Sequence, residues 1–111
     1  MAKHTNDRLQ GTLDLLILKA LARSGPMHGY VIAQAIHQWS DDRLRIEDGS
    51  LYPALHRMTE DKWLKAEWGV TDTNRRARFY AITAAGRKQL EAEEKNWADL
   101  TDAVGRVLRP A

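Results

Sequence analysis

Residues 49–58, Gly49-Ser50-Leu51-Tyr52-Pro53-Ala54-Leu55-His56-Arg57-Met58, carry the signals of a helix beginning. Ser50 is a natural N-cap, because its hydroxyl can accept a hydrogen bond from an amide that the first turn leaves unpaired. Pro53 then falls in the first turn, where a missing N–H costs little. Leu51, Leu55 and Met58 recur at i, i+4 and i+7 and therefore face a core. That rotation turns Tyr52, His56, Arg57 and Glu60 to flanking or outer faces. The helix thus has one buried side and one side rich in hydrogen-bonding groups.

Upstream, two more helices are expected. The first runs from about Leu9 to Arg23, with Leu9, Leu13, Leu16, Ile17, Ala20 and Leu21 at helical spacing. Leu15 and Leu18 widen its apolar face, so it is covered on more than one side. Ser24-Gly25-Pro26 ends it. The second spans about Gly29 to Trp39, with Ile32, Ala33, Ala35 and Ile36 inward, and Ser40-Asp41-Asp42 breaks it. A brief extended segment, Leu44-Arg45-Ile46, follows.

Downstream, Leu64, Ala66 and Trp68 alternate with Lys65 and Glu67, and after the turn-rich stretch Gly69–Asn74 a run from Arg75 to Ile82 alternates basic and apolar residues. This reads as a hairpin with a basic returning strand, in which Tyr80 and Ile82 belong to the core. Thr83 caps a final helix that continues to about Leu108, where Arg109-Pro110 stops it. Such a helix is roughly 38 Å long, whereas a domain of this size is only about 25–30 Å across. It must project or pack on a second chain. Leu90, Trp97, Leu100, Val104 and Val107/Leu108 form a stripe with the three- and four-residue steps of a coiled-coil seam, which implies a dimer.

The bulk properties agree with one small domain. The chain has 111 residues, 43% hydrophobic and 29% charged, and no cysteine. A disulfide scaffold, a thiolate zinc site and a cysteine nucleophile are excluded, in keeping with a reducing cytoplasm. The longest apolar stretch, Leu13–Ala22, is interrupted by Asp14 and Lys19, so no membrane span is expected. The N-terminus has no apolar run behind its charges and does not read as a secretory signal. Net charge is only +2, but it is unevenly placed. From Arg75 to Lys88 there are five basic residues and no acidic one, and from Glu91 to Asp102 five acidic residues and one lysine. One face is suited to phosphate and another would avoid it.

Three helices followed by a basic hairpin is the order of a winged helix-turn-helix, in which the third helix enters the major groove and the wing rides on the backbone. The fold class expected is therefore mainly α with a small β-hairpin. Residues 1–82 would form the DNA-binding part and residues 83–111 a long dimerisation helix, as one continuous unit. Ser50, Tyr52 and Pro53 open the third helix, where hydroxyls and N-terminal amides can fix phosphates, and His56 and Arg57 could reach base edges. Arg75, Arg76 and Arg78 sit where a wing meets phosphate or a minor groove.

Met27-His28-Gly29-Tyr30, residues 49–58 and Arg75-Arg76-Ala77-Arg78-Phe79-Tyr80-Ala81-Ile82-Thr83-Ala84-Ala85-Gly86 together resemble the PadR family of bacterial transcriptional regulators, from about Gln10 onward. The resemblance implies a homodimer on an inverted-repeat operator, usually a repressor, with double-stranded DNA as partner. It implies that Tyr52 and its neighbours, Tyr30 and the wing arginines contact DNA, and that the last helix joins the first in making the dimer. Lys62-Trp63 stands where the family often has a glycine and an aliphatic residue, and Ala77 and Ala81 occupy strand positions that are often basic. With a single C-terminal helix, the chain is similar to the short branch of the family.

Other readings are weaker. His4, His28, His37 and His56 lack the spacing of a metal site, and neither a metal nor a cofactor is expected. His28 would instead cap the second helix. No nucleophile triad, carboxylate pair or phosphate-cradling loop points to an enzyme. Trp97 reads as a knob in the dimer seam or as the aromatic wall of a pocket for a small planar effector. The alternative of another class is a winged-helix interaction module whose basic face binds an acidic protein.

Overall fold

The computed structural model describes residues 3–110, with side chains from residue 11 onward; the side-chain readings for His4 and Leu9 lie outside the described residues. Helix α1 (Lys3–Ser24) leads into a two-residue strand β1 (Met27–His28) and helix α2 (Gly29–Trp39). Helix α3 (Asp48–Glu60), strands β2 (Leu64–Val70) and β3 (Arg76–Ile82), and helix α4 (Ala84–Leu108) complete the order. The antiparallel sheet runs β1-β3-β2.

The core lies among α1, α2, α3 and the inner half of the sheet. Ile17, Leu18 and Leu21 of α1, Ile32 of α2, and Leu51, Leu55 and Met58 of α3 are fully buried. Each such side chain contributes about 1.5–3 kcal/mol by leaving water. Ala33 and Ala35 sit at its margin and Tyr80 is buried in it, while Ile82 is half-buried. Gly25 takes a positive φ of 83° at the exit of α1, the left-handed stop that ends a helix at glycine.

Several boundaries differ from the sequence reading. Helix α1 begins at Lys3, earlier than Leu9. Helix α3 begins at Asp48 with Glu47 at its N-cap, so Ser50 lies inside the first turn and caps nothing; its amide donates to the Glu47 carbonyl at 3.0 Å. Pro53 is consequently one turn further in than expected. It offers no N–H to the Gly49 carbonyl one turn back, which is tolerable because Gly49 is exposed to solvent. Leu44-Arg45-Ile46 forms no strand; the third strand is Met27–His28, which pairs with Tyr80 and Phe79 of β3. His28 does occupy the N-cap of α2, but its side chain makes no capping bond and instead meets Phe79 edge-on at 5.2 Å.

Helix α4 starts as expected. The Thr83 hydroxyl accepts from the Gly86 amide at 3.0 Å, and it also donates toward the Lys62 and Trp63 carbonyls. A Cβ at residue 86 would overlap the Trp63 carbonyl oxygen, so only glycine lets α4 lie this close to the loop after α3. Leu90 is buried in the core of the domain, not set in an outward seam. Beyond it α4 leaves the domain, giving a molecule 57 Å long and 32 × 29 Å across.

Candidate nucleic-acid interface

The outer face of α3 is a single stripe. Gly49, Tyr52, Pro53, His56 and Glu60 are exposed at helical steps of three and four, with Ser50 exposed beside them, while Leu51, Ala54, Leu55 and Met58 occupy the opposite side. His56 Nε2 lies 3.4 Å from a Glu60 carboxylate oxygen, one turn along. Tyr52 has two roles at once. Its ring lies against Gly29, where a Cβ would come within 2.7 Å of it, yet the residue remains 45% exposed. Partial burial, and then the nearby Asp48 carboxylate and Tyr80, push the phenol above its usual pKa. It therefore meets its surroundings as a neutral hydroxyl that can donate.

Arg57 departs from the sequence reading. Its guanidinium points across to α1 and forms a bidentate pair with the buried Asp14, at 2.7 and 2.9 Å. Bonds to Asp14 hold its pKa above the usual value against the opposing effect of burial. The helical rotation alone leaves position 57 on a flank, and only the arrival of α1 decides which neighbour it meets. An acidic residue in the middle of the apolar face of α1 was the one available signal, since a buried carboxylate requires a partner.

The wing is the hairpin β2–β3. Its turn is closed by the Thr71 amide donating to the Arg75 carbonyl at 2.8 Å and the Arg75 amide donating to the Thr71 hydroxyl at 3.1 Å, with Asn74 in the left-handed region at φ 63°. Arg75, Arg76 and Arg78 are all exposed, and among the described residues none of them is ion-paired. Arg75 and Arg76 flank an open cleft whose other wall is Tyr30 and Val31 at the start of α2. Tyr30 is 64% exposed and accepts a hydrogen bond from Gln34.

These pieces adjoin one another. Tyr52 rests on Gly29, Gly29 is followed by Tyr30, and Tyr30 shares the cleft with Arg75 and Arg76 of the wing. Ser50, Tyr52, Pro53, His56, Tyr30 and the three arginines thus lie along neighbouring elements, whereas Arg57 is drawn away to α1. Sequence reasoning missed Trp68, which it read only as one of the residues alternating with Lys65 and Glu67. Trp68 does share the face of Leu64 and Ala66, but the core ends before it and the indole is 59% exposed. The guanidinium carbons of Arg76 and Arg78 lie over its ring, 4.7 and 5.7 Å from the centroid.

Trp97, Leu100, Val104 and Leu108 stand on the projecting half of α4, between 44% and 76% exposed. Among the described residues no cluster of three or more metal-ligating side chains occurs, and no helix is long and apolar enough to cross a membrane.

Three helices, a small sheet with a basic hairpin and a projecting fourth helix define a winged helix-turn-helix protein. Residues 17–92 match the model of the "Transcriptional regulator PadR-like family". The chain is 34% identical over 83 residues to Transcriptional regulator Rv3488 of Mycobacterium tuberculosis, covering 75% of this chain and 74% of that one. Among solved structures, a transcriptional regulator from Clostridium thermocellum superposes with a TM-score of 0.82 at 26% identity, covering 93% of this chain and 99% of its own. A PadR family transcriptional regulator from Eggerthella lenta gives 0.75 at 28% identity, with 99% and 94% covered. This chain belongs to the PadR-like family of transcriptional regulators.

Proposed function

We propose that the protein is a repressor that binds an inverted-repeat operator as a homodimer, with residues 1–82 meeting DNA and residues 83–111 joining the protomers. The observation that carries this reading is the run from the exposed stripe of α3 through Tyr30 to Arg75 and Arg76 across the cleft, with Arg78 beyond them on the same strand, none of the three ion-paired among the described residues. In it α3 enters the major groove, where Ser50 and the Tyr52 hydroxyl hold phosphates and His56 faces base edges. Pro53 packs beside them on the same stripe. Arg75, Arg76 and Arg78 neutralise backbone phosphates from the wing. Because α3 itself carries Asp48 and Glu60, most of the electrostatic attraction falls to the wing.

Trp97, Leu100, Val104 and Leu108 form the dimer seam, and the two α3 helices are then set to reach half-sites about 34–36 Å apart. A planar aromatic effector would stack on Trp97 in that seam and change the separation of the two helices, releasing the operator.

Fluorescence anisotropy with the duplex from upstream of the protein's own gene, against a random duplex, tests the reading. Specific binding should exceed random binding by three orders of magnitude or more at physiological salt, by analogy with operator-binding proteins in general. Replacing Arg75, Arg76 and Arg78 together by alanine should weaken both and lower the salt slope by about one for each arginine that neutralises a phosphate. Equal affinity for both duplexes would rule out operator-specific repression. An unchanged salt slope would remove the wing from the backbone, and retained binding of an acidic protein surface would favour the interaction-module reading.

A further inference from the structure

Trp68 is an exposed indole on a basic wing, and its place in the sheet explains why it is there. Trp68 pairs with Arg78 across β2–β3, and Val70 pairs with Arg76 one step further out. These four share the face that, nearer the domain, buries Leu64 and Tyr80. Past Tyr80 there is no core left to cover that face, so the ring would stand bare. The two arginines cover it instead, with guanidinium carbons 4.7 and 5.7 Å from the ring centroid.

A guanidinium over an aromatic ring is held by the negative face of the ring, and with five N–H donors it keeps groups free to bind anions. Two long side chains that would otherwise sample many rotamers are thereby held along the wing before any ligand arrives. Pre-ordering of this kind lowers the cost of binding without adding charge.

We propose that Trp68 is a positioning residue of the nucleic-acid interface, holding Arg76 and Arg78 as a stacked pair that presents its N–H edges to adjacent backbone phosphates. The proposal rests on the wing lying on DNA, and the test separates the two. The full-length protein is titrated against the upstream duplex and a random duplex at several salt concentrations, as wild type, Trp68→Ala, Trp68→Phe and Arg76→Ala. Trp68→Ala should weaken binding to both duplexes about 5- to 20-fold, the effect expected when pre-organisation is removed, with the salt slope unchanged because every arginine remains. Trp68→Phe should recover much of that affinity, because a phenyl ring still offers a face. Arg76→Ala should lower the slope by about one. Since the indole is largely exposed, the melting temperature of Trp68→Ala should match wild type. If Trp68→Ala binds as wild type while Arg76→Ala loses affinity and slope, Trp68 positions nothing and the proposal falls alone. If neither variant changes binding or slope, the wing is off the DNA and both readings fall.

Discussion

Lys62 holds a left-handed backbone, φ 70°, at the exit of α3. The Trp63 amide donates back to the Met58 carbonyl at 3.0 Å and the Lys62 amide to the Thr59 carbonyl at 3.1 Å, the paired bonds of a Schellman stop. This conformation costs a residue with a Cβ about 1–2 kcal/mol, and glycine essentially none. Lys62 therefore falls at a position with a conformational reason to prefer glycine. Lys62→Gly should raise stability by about 0.5–1 kcal/mol, since part of the relief is offset by the greater freedom of glycine in the unfolded chain. For a domain of this size that is a rise of a few degrees in Tm. A calorimetric scan showing a fall would mean that the lysine side chain makes a compensating contact. At the same scale, Tyr52 shows why an outward residue need not be a free one: it is exposed, yet its ring leans on Gly29.

Between elements, the Asp14–Arg57 pair joins α1 to α3. Asp14 is almost wholly buried, and Arg57 is about one third exposed. Removing one partner of a fully buried pair costs about 3–5 kcal/mol because the other charge is stranded. With Arg57 partly in water, Asp14→Asn should cost about 2–3 kcal/mol. The double replacement Asp14→Leu with Arg57→Met should recover most of it, as apolar residues of similar size need no partner. Urea denaturation of the three proteins measures this, and a loss below about 0.5 kcal/mol would place the pair with ordinary surface bridges. A second junction lies just past the same end of α3. The Thr83 hydroxyl binds the Lys62 and Trp63 carbonyls while capping α4. The C-terminal end of α3 is thus tied both to α1, through Arg57, and to α4, through the loop that follows it.

Across the whole molecule, the projecting half of α4 carries apolar side chains that, among the described residues, remain largely uncovered. Its polar faces are supported by pairs one turn apart, Lys95 with Asp99 and Asp102 with Arg106, each worth only about 0.3–0.5 kcal/mol. Such pairs do not stabilise a free helix of this length, and burial of Trp97, Leu100, Val104 and Leu108 against a second copy would. Leu100→Glu with Val104→Glu should give a monomer by sedimentation and weaken operator binding at least 100-fold, because linked half-sites gain two to four orders of magnitude over one. Leu90→Glu, in contrast, should unfold the protomer. A dimer persisting in the double variant would place the interface elsewhere.

The order of the four helices and the hairpin, the capped start of α4 and the buried side of α3 were legible in the residues themselves, whereas β1 was not. Each depends on local periodicity or on a single capping side chain, and local rules are complete within a few residues. The sequence also placed the wing arginines in an exposed strand, since alternation in a hairpin needs only its own register. Tertiary structure decided what lies at each element's flank. The partner of Arg57 is 43 positions away in sequence, Leu90 became core because Thr83 pins α4 against the loop after α3, and Trp68 became exposed because the core ends at Tyr80. Helical or strand spacing fixes the direction a side chain leaves its own axis, but which neighbour occupies that space depends on how distant elements cross. That is why Gly49–Met58 could be read as a helix with an outward face from the residues alone, while the sorting of that face, Tyr52 and His56 outward and Arg57 to Asp14, required the packed molecule.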